Sequence, residues 1–186
     1  MVPIPSLWLA IVLSAVIVFV LSAILHMMLP FHLADHKRLP AEDATMDALR
    51  GFNIPPGDYM VPCPADRSAM RSPEFLDKLK KGPLVVMTVM RSGRPNMGPQ
   101  LVQWFGYCLV VGVFAAYIAG RALGRGASYL SVFRFAGCTA FAAYTLALWQ
   151  QSIWYKRSWG TTIRYTIDGL IYGLMTGGTF GWLWPK

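Results

Sequence analysis

Asp168 is the residue with most to explain. It is a lone carboxylate in an apolar stretch from about Tyr165 to Trp184, and Arg164 stands four residues before it. A carboxylate in hydrocarbon is costly unless it is paired, so it is either held by a partner or put to use. Two readings are open. Arg164 and Asp168 can form an i,i+4 pair at the positive N-terminal end of a helix. Alternatively Asp168 takes a proton or a ligand, with Arg134, in the preceding apolar stretch, as a second polar group.

The only three histidines lie together: His26, His32 and His36 in "LHMMLPFHLADH", with Asp35 beside the last. His32 and His36 share a helical face if the helix runs past Pro30, and with Asp35 they have the side-chain types of a metal site. Pro30 opposes that continuity, and histidine at a membrane boundary is often merely interfacial, so no metal is assigned. Haem with two axial histidines needs them on facing spans, which one short segment does not offer, and no cofactor is expected. Cys63, in "GDYMVPCP" after Asp58 and Tyr59, is a thiol on a proline-bounded turn. As a nucleophile it would need a base, and none lies near it in sequence; only His36 could approach, through the fold. There is no CxxC or zinc-spaced Cys/His cluster, and "GRALGRGAS" lacks the GK[ST] ending of a phosphate loop.

The elements that position these residues are hydrophobic helices. Of 186 residues, 55% are hydrophobic and 14% charged, and mean hydropathy is +0.42. Leu7 to Leu29 carries no formal charge and makes roughly 34 Å of helix, enough for a hydrocarbon core. We read it as a retained anchor, because no basic residue precedes it and no small-residue cleavage site follows. Three more spans are expected at about 101–123, 130–154 and 165–184, giving an all-α bundle of four transmembrane helices. Residues 30–98, between the first two spans, form a membrane-associated α+β cap.

The net charge of +8 fits cationic loops on anionic lipid better than nucleic acid, which is not an expected partner. Thirteen Lys and Arg fall in the first and third loops, including Lys37, Arg38, Arg91, Arg94, Lys156, Arg157 and Arg164. Four fall opposite: Arg121, Arg125, Arg134 and Lys186. The positive-inside rule then puts the cap in the cytoplasm and both termini outside.

Gly169, Gly173, Gly177 and Gly181 recur every fourth residue, and the second span repeats the device with Gly112, Ala116, Gly120 and Gly124. Small residues let helices approach closely in lipid, where burial of apolar surface gives little drive. Such faces pack helices of one chain, or dock another copy or subunit. Trp8, Trp149, Trp154, Trp159, Trp182 and Trp184 stand at span ends as interfacial anchors.

Within the cap, "LPAEDATMDALRGF" and "RSPEFLDKLKKG" read as amphipathic helices, the second capped by Ser72 and ended by Gly82. "DYMVP" and "PLVVMTVM" read as strands. So small a core is expected to bury Leu84 to Met90 against the bundle or the bilayer.

"ILHMMLPFHLADHKRLPAED", "PPGDYMVPCP" and the ending "DGLIYGLMTGGTFGWLWP" together resemble a family of uncharacterised bacterial inner-membrane proteins of similar length. The resemblance covers essentially the whole chain. It implies a bacterial inner-membrane location and brings no activity or catalytic residue. The sequence therefore supports a non-enzymatic structural or accessory subunit first. A transporter-like or ligand-binding protein using Asp168 and Arg134 is the alternative, and a membrane enzyme using Cys63 or the histidines a further one.

Overall fold

The computed structural model describes residues 1–94 and 96–186. In chain order the helices are α1 (Trp8–Ala23), α2 (Glu42–Gly51), α3 (Pro73–Lys81), α4 (Gly98–Ala122), α5 (Tyr129–Thr145), α6 (Trp149–Tyr155) and α7 (Trp159–Trp182). Strands β1 (Gly57–Val61) and β2 (Val85–Val89) lie between α2 and α4. Met1–Lys37 with Asn96–Lys186 forms one compact unit and Arg38–Pro95 another.

The first unit is a ring of four long helices, with α1 on α4, α4 on α5, α5 on α7 and α7 on α1. Ile4–Met28, Gly98–Ala122 and Tyr129–Tyr155 are long and apolar enough to cross a membrane. The fourth, α7, has the length but only a one-sided apolarity. Its inner face carries Thr161, Thr162, Asp168, Gly169, Gly173, Thr176, Gly177 and Thr179. Its outer face shows Ile163, Ile167, Leu170 and Leu174.

The glycines sit where backbones nearly touch. A Cβ on Gly173 would stand 3.0 Å from the Gly137 carbonyl oxygen, and one on Gly177 would stand 2.7 Å from that of Phe133. Gly112 faces Ile11, Gly120 the Val2 carbonyl, Gly169 Thr145, and Gly181 the ring of Tyr129. Ala116 is fully buried. Gly124 departs from the expected stripe: nothing lies within 4 Å of its Cβ position, because α4 has ended at Ala122. Its carbonyl instead accepts a hydrogen bond from Trp184 Nε1 at 3.0 Å. Beside it the Gly126 N–H donates to the Pro185 carbonyl (2.9 Å), and the Val2 N–H donates to that of Gly120 (2.8 Å).

The third expected span, 130–154, appears as one candidate crossing, Tyr129–Tyr155, with an irregular turn in its middle. Thr145 Oγ1 donates back to the Phe141 carbonyl at 2.5 Å, a local bond that bends helices. A 3-10 turn, Leu146–Leu148, then leads into α6.

The Arg38–Pro95 unit holds an antiparallel β1–β2 pair with Tyr59 opposite Met87, together with α2 and α3. Ser72 Oγ accepts from the Phe75 N–H and Gly82 closes α3 with φ +59°, as the capping residues dictate. None of its described residues is buried. Within the chain itself Leu84 and Met90 are 65% and 80% exposed. Two short strands and two short helices enclose too little volume to hide them.

Candidate functional site

Pro30 ends the first helix, since it lacks the amide the helix needs, and starts a 3-10 turn, Pro30–Asp35. This turn packs on α7 and so belongs to the bundle, not to the cap. It brings His32 and Asp35 to the side of α7 that carries Arg164 and Asp168.

Asp35 Oδ1 accepts from Arg164 Nε at 2.7 Å and lies 2.5 Å from the other guanidinium nitrogen; its side chain is 2% exposed. Asp35 Oδ2 meets His32 Nδ1 at 2.6 Å. Burial alone would push the Asp35 carboxyl up, but the hydrogen bonds from His32 and Arg164, with their charges, hold it below its ordinary value. Paired with the Arg164 guanidinium, Asp35 is the acceptor in both contacts, so His32 carries a proton on Nδ1. His26 Nδ1 lies 3.1 Å from the Ser22 carbonyl, another pure acceptor, so its proton sits there too. In the neutral form both rings then keep a lone pair on Nε2.

Those lone pairs face Asp168. His32 Nε2 is 2.9 Å and His26 Nε2 3.8 Å from Asp168 Oδ2, and the Asp168 side chain is 2% exposed. Short as it is, the His32–Asp168 approach has the wrong direction for a hydrogen bond. His32 Nε2 and both Asp168 oxygens are buried with no hydrogen-bond partner among the described residues. The imidazoles stack at 4.1 Å and 9°, flanked by Tyr165, over which the Arg157 guanidinium lies at 5.1 Å.

His26 and Asp168 form part of the wall of a cavity of about 540 Å³, otherwise lined mainly by apolar and aromatic residues such as Phe19, Met27, Leu101, Trp104 and Tyr144. The polar tips of two lining residues already have partners. Trp104 Nε1 donates to Ser22 Oγ at 2.7 Å, and the Tyr107 hydroxyl donates to the Ala143 carbonyl at 2.7 Å. Leu148, from the turn that breaks the third helix, closes one side.

The structure thus corrects several expectations. Arg164 pairs with Asp35 and not with Asp168, because the turn after Pro30 delivers a carboxylate that caps the guanidinium. His36 leaves the turn in extended conformation and is exposed, so it shares no face with His32. The grouped side chains are His26, His32 and Asp168, with Asp35 behind His32, in place of His32, His36 and Asp35. Arg134 is exposed on α5 and joins no ion pair among the described residues, so it is not brought to Asp168. Cys63 is exposed, and its sulfur has only the neighbouring Pro64 carbonyl, at 3.8 Å. The sequence did carry one signal for the site: two histidines straddling a helix-ending proline, and one unexplained carboxylate in an apolar segment.

No family model, curated protein or solved structure matches the chain.

Proposed function

We propose that the chain is a four-helix integral membrane protein that binds a small amphiphilic molecule, its apolar body among the aromatic side chains and its polar end at His26 and Asp168. The observation that carries this reading is the cavity of about 540 Å³ in which His26 and Asp168 stand side by side in a mainly apolar and aromatic lining, a size and character usual for small-molecule sites. Counting α7 as a span rests on its 24 residues and its apolar outer stripe. The surplus of Lys and Arg in residues 30–98 supports a cytoplasmic position for that segment.

The accessory-subunit reading draws on spare small-residue faces. Gly112, Gly120, Gly169, Gly173, Gly177 and Gly181 all face atoms of this same chain, and that favours ligand binding over scaffolding. The test is quenching of tryptophan fluorescence by a brominated single-chain amphiphile, with the protein in lipid nanodiscs. A saturable component that disappears in Trp104→Phe and in the cavity-filling Ala23→Phe supports the proposal. Quenching that never saturates and is equal in all three proteins is bilayer partitioning and sinks it.

A further inference from the structure

We propose that His26 Nε2, His32 Nε2 and an Asp168 carboxylate oxygen bind a divalent transition-metal ion of the zinc type. The inference uses only these groups and their supports, and it stands whether or not the cavity takes an amphiphile.

Proton accounting comes first. Both Nδ1 atoms are committed as donors, to Asp35 and to the Ser22 carbonyl. Two ring nitrogens and a carboxylate oxygen then lie within 4.8 Å of one another, and His32 Nε2 and both Asp168 oxygens have no hydrogen-bond partner among the described residues. With both rings neutral and the carboxylate ionised, three acceptors cannot satisfy each other, and leaving His32 Nε2 and the Asp168 oxygens buried and unmet is costly, while His26 is the exposed member of the group. Something positive belongs between them. A single proton on His32 would serve Asp168 Oδ2 alone, off the direction a hydrogen bond needs, and would leave the second oxygen and His26 unmatched. A cation serves all three.

Dimensions agree. Zinc bonds of about 2.0–2.2 Å in a tetrahedron set ligand atoms roughly 3.4 Å apart. The observed separations from Asp168 Oδ2, 2.9 and 3.8 Å, bracket that value. Loading an ion requires the stacked rings to turn toward a common point.

The supports agree as well. Metal-binding histidines commonly donate their other N–H to a carboxylate or a backbone carbonyl, which fixes tautomer and orientation. Here one histidine does each, and Arg164 in turn anchors Asp35. Two neutral imidazoles, one carboxylate and a divalent ion sum to a single positive charge. Three protein ligands leave at least one position free for an oxygen donor, as in zinc sites that act on substrates, and His26 and Asp168 both line the cavity.

The experiment uses the full chain in detergent micelles, stripped by chelator, reloaded with Zn²⁺ or Co²⁺ and freed of excess. Metal per chain is measured by elemental mass spectrometry, and Co²⁺ geometry by visible absorption. About one ion per chain is expected, with the strong absorption of low-coordinate cobalt. His32→Gln and Asp168→Asn should lose most of it. Asp35→Asn, a positioning change, should weaken binding about 10–100-fold. His36→Ala should bind like the wild type, and thermal unfolding identifies any variant that has merely misfolded. A folded wild type that keeps no ion overturns the proposal, as does equal loss in His36→Ala. The quenching assay run on the chelated protein reports on the cavity separately, so either reading can fall alone.

Discussion

Adjacent glycines of α7 should respond unequally to the same substitution. A methyl on Gly177 would stand 2.7 Å from the Phe133 carbonyl oxygen and 3.0 Å from the Gly137 Cα, both backbone atoms of α5. Neither can swing aside, so Gly177→Ala must push two helices apart along the most extensive contact in the bundle. Overpacking of this kind costs about 1–3 kcal/mol. On Gly178 the same methyl meets only the Tyr129 hydroxyl, at an ordinary 3.5 Å. There the alanine keeps its helix-forming advantage, up to ~1 kcal/mol. The two variants should therefore differ by at least about 1 kcal/mol, with wild type between them or level with Gly178→Ala. Reversible unfolding in mixed micelles, titrated with a denaturing detergent, measures this. Equal destabilisation by both would refute the reasoning, since the glycines would then matter for something other than the α5–α7 approach.

Three further outcomes are expected. Arg164→Met strands the buried Asp35 anion and should cost about 3–5 kcal/mol; most of that cost should vanish in an Asp35→Asn background and persist in Asp168→Asn, as unfolding cycles would show. Cys63 should react with a membrane-impermeant maleimide, Cys138 on the outer face of α5 only with a lipid-soluble one, and buried Cys108 with neither before unfolding; labelling of native Cys138 by the impermeant reagent would contradict a membrane setting for α5. The Asp66 carboxyl, which accepts from the Ser68 side chain and from the Ala69 and Ser68 N–H groups, should titrate by NMR below the usual ~3.9. Its contribution to the turn is therefore present above the unfolded-state pKa and lost as pH falls through the folded one.

What could be read from the sequence was whatever is decided locally. Caps, turns and strand composition marked α3, β1 and β2, and hydropathy marked the helices Ile4–Met28 and Gly98–Ala122. The fourfold glycine spacing correctly pointed to close packing, but its partner Gly137 was hidden, since only α5 geometry opposes it to Gly173 and Gly177. The site was less legible because its pairing is decided by a fold-back. Arg164 and Asp168 have ideal helical spacing, and nothing in a linear reading says that a turn 129 residues upstream offers Arg164 a better partner. Pro30 was correctly read as a break. The consequence, that the broken segment returns His32 to α7, depends on packing that no local rule encodes.

The hydrogen bonds at the α4–α5 connection carry a further implication. Val2 is tied to Gly120 and Pro185 to Gly126, so the first and last residues meet at one end of the bundle. A path that starts and finishes at the same end has run the bundle's length an even number of times. Hydropathy averaged round a whole helix marks three helices as apolar enough to cross a membrane, an odd number, because α7 turns its threonines and glycines inward and shows apolar side chains on one flank only. Parity makes α7 a fourth traverse of the bundle whatever its hydropathy, and it leaves the two ends of the bundle's path neighbours in space.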